Sequence, residues 1–238
     1  MLTLLTTVPK IMIAAAVLPA VALLIYVYRK DVTEKEPGSL LMNLLLLGAL
    51  STVFASITEY IGQVVLDSVR FESETLKNAI LYFIVVALSE EGFKYLLLRY
   101  RTWKEPNFNC TFDGVVYAVF VSMGFAIIEN IKYVFAYGLA TALVRAVTAV
   151  PGHACFGVFM GSWYGQAKRA DNFGYPEKSV FYRVLSVLVP MVLHGLYDFI
   201  ATRTSDGSTW VFVIFVIIMF FISFKLVRKL SDEDRYIV

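Results

Sequence analysis

The chain has 238 residues, of which 58% are hydrophobic, 15% aromatic and only 17% charged, and its mean hydropathy is +0.69. Soluble domains carry about 25% charged residues, so this composition excludes a disordered chain and argues against a soluble globular domain. About seven apolar spans of roughly 20 residues each fit within this length and leave only short loops. We therefore predict an all-α, polytopic bundle of transmembrane helices that forms a single membrane domain over residues 1–238.

Apolar runs of about 18 or more residues mark the predicted spans. In chain order these are residues 11–28, 40–66, 77–98, 114–137, 139–166, 180–201 and 209–227. Polar segments separate neighbouring spans except at Gly138, where we expect a tight turn. We expect a further break inside the fifth span, at Val150-Pro151-Gly152.

The lysines and arginines predict the orientation, because basic residues concentrate in the cytoplasmic loops of membrane proteins. Four basic residues lie in the N-terminal tail, in the second, fourth and sixth loops, or at the span ends beside them: Lys10, Arg70, Lys77 and Arg203. Fourteen basic residues lie in the first, third and fifth loops, in the C-terminal tail, or at the span ends beside them: Arg29, Lys30, Lys35, Arg99, Arg101, Lys104, Lys168, Arg169, Lys178, Arg183, Lys225, Arg228, Lys229 and Arg235. This asymmetry predicts a multi-pass protein of the cell membrane with its N-terminus outside and its C-terminus in the cytoplasm.

A few ionisable residues fall inside the predicted spans, where a charge at the helix centre costs about 2.5–3.5 kcal/mol on insertion scales. Such residues usually face the bundle interior and mark function. They are Lys94, Lys132, Arg145, Glu59, Glu90, Glu91, Glu129, Asp198, His153 and His194. We leave Glu59 out of the candidate site, because it lies within two turns of the outer end of its span and could simply reach water.

The third span carries the pattern Glu90-Glu91-x-x-Lys94. Helical spacing places Lys94 four residues after Glu90 and three after Glu91, so one lysine can neutralise either carboxylate. Two carboxylates in a low dielectric do not both ionise cheaply, which suits one of them to act as a general base. The alternative is an ion pair that only locks the helix in its bundle, but that role does not need the second glutamate.

The fourth span carries Phe125-x-x-x-Glu129, which places an aromatic ring and a carboxylate on one helix face. Alternatively, Glu129 could merely pair with Lys132, three residues further on. Arg145, in the next span, could serve as a counter-ion.

The sixth span carries His194-x-x-x-Asp198. The aspartate can accept one ring N–H of the histidine and leave the other nitrogen for a substrate or a metal. The alternative is a histidine that is simply satisfied by its own helix neighbour. In the fifth span, His153 precedes a small-residue stripe, Gly157-x-x-x-Gly161-x-x-x-Gly165, which permits close helix packing.

The depths of these groups in the membrane suggest that they can meet. At a rise of about 1.5 Å per residue, Glu90, Glu129, His153 and His194 fall within one layer roughly 10 Å thick. Four helices therefore present titratable groups at similar depth, and we predict that these groups converge on one polar cavity.

Taken together, these motifs resemble those of the PrsW family of bacterial intramembrane proteases. That family is related to the CAAX prenyl proteases and the bacteriocin-processing enzymes, which place similar motifs on a four-helix core. The resemblance covers about residues 85–200, so the predicted catalytic core helices span residues 77–201. The first two spans and the last lie outside it.

The resemblance implies an intramembrane endopeptidase that makes the first, extracytoplasmic-side cut in a membrane-anchored anti-sigma factor. The implied partners are this single-span substrate and the lipid bilayer, and we expect no nucleic acid. The implied catalytic residues are Glu90, Glu91, Glu129, His153, His194 and Asp198, supported by Lys94 and Phe125.

Within that set, Glu90 and Glu91 would activate water. His194, together with Glu129 and His153, would polarise the peptide carbonyl or orient the water.

No cofactor is required by these motifs, although the resemblance also leaves room for zinc. The chain lacks His-Glu-x-x-His, but His153, His194 and a glutamate could make an open zinc site. Two other functions use the same residues. A proton-coupled transporter would employ them as a relay, although we find no inverted repeat, and a non-catalytic membrane scaffold would keep only the helix core.

Overall fold

The computed structural model describes residues 2–203 and 206–237, with side chains for residues 9–203 and 207–237. The elements in chain order are α1 (Leu2–Lys30), α2 (Gly38–Ser68), α3 (Glu74–Ile80), a π-helical segment (Leu81–Ala87), α4 (Leu88–Thr102), α5 (Asp113–Tyr137), α6 (Leu139–Val147), α7 (Ala149–Asn172), α8 (Pro176–Ala201) and α9 (Asp206–Asp232). Across these described ranges the only β pairing is an isolated bridge between Cys110 and Tyr236. The predicted all-α bundle is confirmed.

Six helical stretches are long and apolar enough to cross a membrane: Pro9–Lys30, Gly38–Ser68, Asp113–Tyr137, Leu139–Asn172, Pro176–Ala201 and Gly207–Asp232. They coincide with six of the seven predicted spans. The third predicted span, 77–98, lies in the helix that runs without a break from α3 through the π-helical segment into α4. It is not one of the six, and it is the stretch that carries Glu90, Glu91 and Lys94.

The π-helical segment is a local feature that the apolar pattern of the third span did not predict. Its hydrogen bonds join residues five apart instead of four, so it changes which face the following turn presents. Gly195 of α8 lies directly against it, since a Cβ atom there would come within 2.6 Å of the Phe83 ring. This close approach brings α8 beside the turn of α4 that follows the segment.

Helix α5 is the most enclosed part of the bundle and packs between α2 and α7. The glycines of α7 allow this contact: a Cβ atom on Gly161 would collide with the backbone of Gly114 and Val115, and one on Gly165 would collide with the carbonyl of Thr111. The predicted packing role of the small-residue stripe is confirmed.

The region that was predicted as one fifth span contains two helices. Gly138, with φ of 88°, makes the expected tight turn before α6. The break expected at Val150-Pro151-Gly152 is wrong, because these residues lie inside α7 and the chain breaks at Thr148. Pro151 occupies the first turn of α7, where backbone N–H groups have no helical partner, so its missing N–H disrupts nothing.

The C-terminal tail folds back on the start of α5. The backbone N–H of Ile237 donates to the carbonyl of Asn109 (2.7 Å), and that of Thr111 donates to the carbonyl of Arg235 (3.3 Å). Acidic side chains of the short α1–α2 connection are buried near this junction. Burial raises the pKa of Asp31 to about 6 and that of Glu36 to about 7.

Candidate active site

Lys94 lies at the centre of the buried polar cluster and is completely enclosed. Its Nζ atom lies 2.7 Å from Glu91 Oε1, 3.3 Å from Glu90 Oε2 and 3.2 Å from His153 Nδ1. It also lies 3.9 Å from the centre of the Phe125 ring. The predicted neutralisation is confirmed, and one ammonium serves both carboxylates at once. Because an ammonium group only donates, His153 Nδ1 accepts this bond and its ring proton lies on Nε2.

Glu129 links His153 to a basic residue on another helix. Its Oε2 atom accepts from His153 Nε2 (2.9 Å) and from an Arg145 guanidinium nitrogen (2.6 Å). Lys132 donates instead to Ser56 Oγ (3.2 Å). The alternative pairing of Glu129 with Lys132 is therefore wrong, and Arg145 is the counter-ion.

His194 is held mainly from α4. Its Nδ1 atom lies 2.9 Å from Glu91 Oε1, whereas its Nε2 atom lies 3.4 Å from Asp198 Oδ2. The imidazole also stacks on the Phe156 ring, with centroids 4.7 Å apart. The alternative of a histidine satisfied only by its own helix is wrong. Asp198 is the looser of the two carboxylate neighbours, and Glu91 orients the ring.

These groups border one cavity of about 350 Å³ inside the bundle. Five of the predicted catalytic residues line it: Glu90, Glu129, His153, His194 and Asp198. Glu91 and Lys94 are fully buried behind this wall. The predicted convergence on one polar cavity is seen in the structure, whereas the catalytic role of each residue stays a prediction.

Glu59 also lines this cavity, so leaving it out of the candidate site as a residue that could simply reach water was wrong. Thr52 and Ser56, on the same helix, line the cavity with it. The spacing of 52, 56 and 59 is that of one helix face. This polar stripe in an otherwise apolar span is the signal that could have identified Glu59.

Asn130 is a second residue that the motifs did not single out. It is completely buried, its amide nitrogen donates to the carbonyl of Ala16 (2.9 Å), and its Oδ1 accepts from Arg145 Nε (2.9 Å). The Arg145 guanidinium also lies 4.0 Å from the centre of the Tyr133 ring. These contacts fix the arginine that pairs with Glu129.

Four of the buried side chains could together hold a metal ion. One ligand atom each from Glu90, Glu91, His153 and His194 all lie within 4.8 Å of one another. Carboxylate oxygens and imidazole nitrogens are donors that zinc accepts, and Glu91 Oε2 is buried without a hydrogen-bond partner. The donor set therefore fits zinc. Lys94 contacts three of the four residues, so its ammonium and a metal ion compete for the same donors.

Comparison with known proteins agrees with the motif resemblance and extends it. The model of the PrsW family, described as intramembrane metalloproteases, matches residues 36–224, a longer stretch than the 85–200 expected from the motifs. Proteins named Protease PrsW from Geobacillus kaustophilus, Oceanobacillus iheyensis and Bacillus subtilis are 36%, 33% and 32% identical to the chain. These alignments cover 79%, 93% and 91% of this chain and 79%, 96% and 94% of the relatives. No solved structure matches significantly. The chain is a membrane-embedded protease and belongs to the PrsW family.

Proposed function

We propose that this protease makes the first cut in a membrane-anchored anti-sigma factor, a protein with a single membrane span. The substrate is the one that the resemblance to the PrsW family implies, and the polar cavity of about 350 Å³ inside an apolar bundle supports the hydrolysis itself. Hydrolysis of a peptide bond consumes water, and a cavity lined by carboxylates and imidazoles can admit water where the surrounding helices exclude it.

Glu90 is the proposed general base, because it lines the cavity while Glu91 lies behind it. In this reaction Glu90 takes a proton from water, and the resulting hydroxide forms a bond to the peptide carbonyl carbon. The carbon–nitrogen bond then breaks, and the leaving nitrogen takes a proton from His194, whose Nε2 also faces Asp198. General acid–base catalysis by positioned side chains contributes roughly 10²–10⁴-fold in rate.

His153 and Glu129 form the opposite side of the proposed site. The proton on His153 Nε2 is directed to Glu129 in the resting protein, and the same N–H can be offered to a substrate carbonyl oxygen. Arg145 keeps Glu129 paired while this happens. Residues 77–201 hold all of these groups and form the proposed catalytic core.

The family description as metalloproteases makes zinc the proposed alternative to a reaction by side chains alone. His153, His194, Glu90 and Glu91 would hold the ion, and a bound zinc would act as a Lewis acid and lower the cost of deprotonating water.

The roles are tested by cleavage of a single-span anti-sigma factor in detergent. We expect Glu90→Gln, Glu91→Gln and His194→Ala to lose cleavage by roughly 10²-fold or more. Glu177→Gln, an exposed acid in the first turn of α8, should cleave normally. Full activity in all three site variants contradicts the assignment. A chelator separates the two chemistries: loss of cleavage that added zinc restores indicates a metal, and unchanged cleavage indicates the side chains alone.

We further propose that the N-terminus lies outside the cell and the C-terminus in the cytoplasm, because four basic residues fall on one side and fourteen on the other. Membrane-impermeant labelling of a cysteine added at either end of the chain in intact cells checks this orientation. Labelling of the C-terminal cysteine would contradict it.

A further inference from the structure

A groove of about 490 Å³ lies between α4 and α8; we call it the α4–α8 groove. Its wall is mostly apolar and includes Leu88 of α4 and Val184, Leu188 and Met191 of α8. Leu88, Val184 and Leu188 are exposed, so the groove is open to the surrounding membrane. Among the described residues, none lines both this groove and the polar cavity of the candidate active site.

The groove is about as long as one leaflet of a membrane is thick. On α8 its lining residues run from Val180 to Met191, and on α4 they run from Leu88 to Arg99. Each run extends over about 16 Å, since a helix rises by about 1.5 Å per residue. The hydrocarbon core of a bilayer is about 30 Å thick, so the lipid chains of one leaflet occupy roughly 15 Å of it. The length of the groove therefore suits a lipid acyl chain.

Basic side chains gather at one end of the groove, around the ring of Trp103. Arg99 and Arg183, which line the groove, have their guanidinium carbons 5.9 Å and 5.3 Å from the centre of this ring. The ammonium of Lys168, on α7, lies 5.6 Å from the same point. Tryptophan is enriched where a membrane meets water, so we place this end of the groove at the level of the lipid headgroups.

In the part of the chain that the structure describes, no carboxylate forms an ion pair with Arg99, Arg183 or Lys168. Arg183 Nε is buried without a hydrogen-bond partner, and Lys168 donates to the backbone carbonyl of Trp103 (3.0 Å). Three positive charges around one ring repel one another. An anion bound by the arginines would offset this repulsion and give the buried N–H an acceptor.

We propose that the α4–α8 groove binds one anionic phospholipid. Arg99 and Arg183 hold its phosphate beside Trp103, and an acyl chain lies along the apolar wall. Guanidinium groups bind phosphate through paired N–H donors, and basic pockets between membrane helices bind acidic lipid headgroups. The apolar length of the groove favours a lipid over a free anion, which would contact the basic end alone. The bound lipid joins α4 to α8, the two helices whose Glu91 and His194 side chains contact each other.

The test adds lipid to the full-length protein after delipidation in a neutral maltoside detergent and follows thermal unfolding. Phosphatidylglycerol, which is anionic, is compared with phosphatidylcholine, which has the same acyl chains and no net charge. At about tenfold above its dissociation constant, phosphatidylglycerol should raise the unfolding midpoint by about 3–6 °C. Phosphatidylcholine at the same concentration should raise the midpoint clearly less. Glycerol phosphate, which offers the anion without the chains, should leave it unchanged.

Arg99→Gln/Arg183→Gln tests the basic end of the groove. Loss of the two charges should weaken the binding of phosphatidylglycerol about 30-fold, as measured by native mass spectrometry. The rise in the midpoint should then shrink to below about 1 °C. The control is Lys225→Gln/Arg228→Gln on α9, whose charges also lie over aromatic rings, at 4.3 Å and 5.2 Å from the ring centres. It removes the same charge outside the groove and should keep the full rise.

Val184→Trp tests the apolar wall without changing any charge. The larger side chain fills the groove, so phosphatidylglycerol should no longer raise the midpoint. Val211→Trp on α9 is the matched control, because Val184 and Val211 are both 54% exposed, and it should keep the rise. Since neither valine is buried, both variants should fold, and their midpoints without lipid check this.

Several results would overturn the proposal. An equal rise with phosphatidylcholine would show that the headgroup charge is not recognised. A full rise in Arg99→Gln/Arg183→Gln or in Val184→Trp would place the lipid elsewhere on the protein. Equal rises with glycerol phosphate and phosphatidylglycerol would leave an anion site without a lipid. A dimer in lipid-free detergent that Val184→Trp converts to a monomer would assign the groove to a second copy of the chain.

Discussion

Lys94→Met tests whether the ammonium at the centre of the candidate site holds the bundle together. Methionine keeps most of the side-chain volume but leaves the carboxylates of Glu90 and Glu91 without their shared cation. Removing one partner of a buried ion pair costs about 3–5 kcal/mol. At about 2–4 °C per kcal/mol for a chain of this size, the unfolding midpoint should fall by about 6–20 °C.

The chain supplies a matched control in Lys77. Its ammonium lies 2.9 Å from Asp67, nearly the same distance as that from Lys94 to Glu91, but the two side chains are 26% and 55% exposed. Exposed ion pairs contribute little to stability, so Lys77→Met should barely change the midpoint. Both variants are compared by thermal unfolding in the same detergent, with tryptophan fluorescence as the signal.

A double variant identifies the cause of the loss. Lys94→Met/Glu91→Gln removes the stranded carboxylate along with the ammonium, so it should be more stable than Lys94→Met alone. The coupling between the two positions should exceed about 1 kcal/mol, as for residues in one buried network. Two results would show that the buried pair does not support the fold. One is equal unfolding midpoints for Lys94→Met and Lys77→Met. The other is a double variant whose loss of unfolding free energy equals the sum of the losses in Lys94→Met and Glu91→Gln.

Two further predictions concern packing and the cavity. Gly161→Ala should lower the free energy of unfolding by about 1–3 kcal/mol, because the new Cβ atom meets the backbone of Gly114. The control, Gly92→Ala, has open space around the new Cβ atom and should be neutral or stabilising by up to about 1 kcal/mol. Equal unfolding midpoints for the two variants would refute the close-packing argument. Glu59→Gln should reduce cleavage of the single-span substrate, because Glu59 lines the cavity. The control, Asp67→Asn, changes an acid on the same helix outside the cavity and should leave cleavage unchanged. Unchanged cleavage by Glu59→Gln would remove Glu59 from the site.

The parts of the site that depend on one helix could be predicted from sequence. The contacts of Lys94 with Glu90 and Glu91 follow from spacings of four and three residues, and they need only a helix to form. The shared membrane depth of His153 and His194 follows in the same way from helical rise. Their rings lie 5.4 Å apart in the structure.

Contacts that depend on how the chain turns between helices could not be predicted in this way. Helical spacing offered Lys132 as the partner of Glu129, but Arg145 takes that place because the turn at Gly138 and the break at Thr148 return α6 to the side of α5. Likewise, the π-helical segment before Glu90 changes the helical phase of the turn that carries the two glutamates. Its apolar residues are typical of an ordinary membrane helix, so the residue pattern gives no sign of the change.

The buried acids of the candidate site and those of the α1–α2 connection are neutralised in different ways. In the candidate site the chain supplies the cations: Lys94 pairs with two glutamates and Arg145 with a third. Among the described residues, no basic side chain forms an ion pair with Asp31 or Glu36. Burial instead raises the pKa of both carboxyl groups, to about 6 and about 7, which favours their neutral, protonated forms. A nearly neutral net charge of +2 conceals this difference, because it sums charges that never meet.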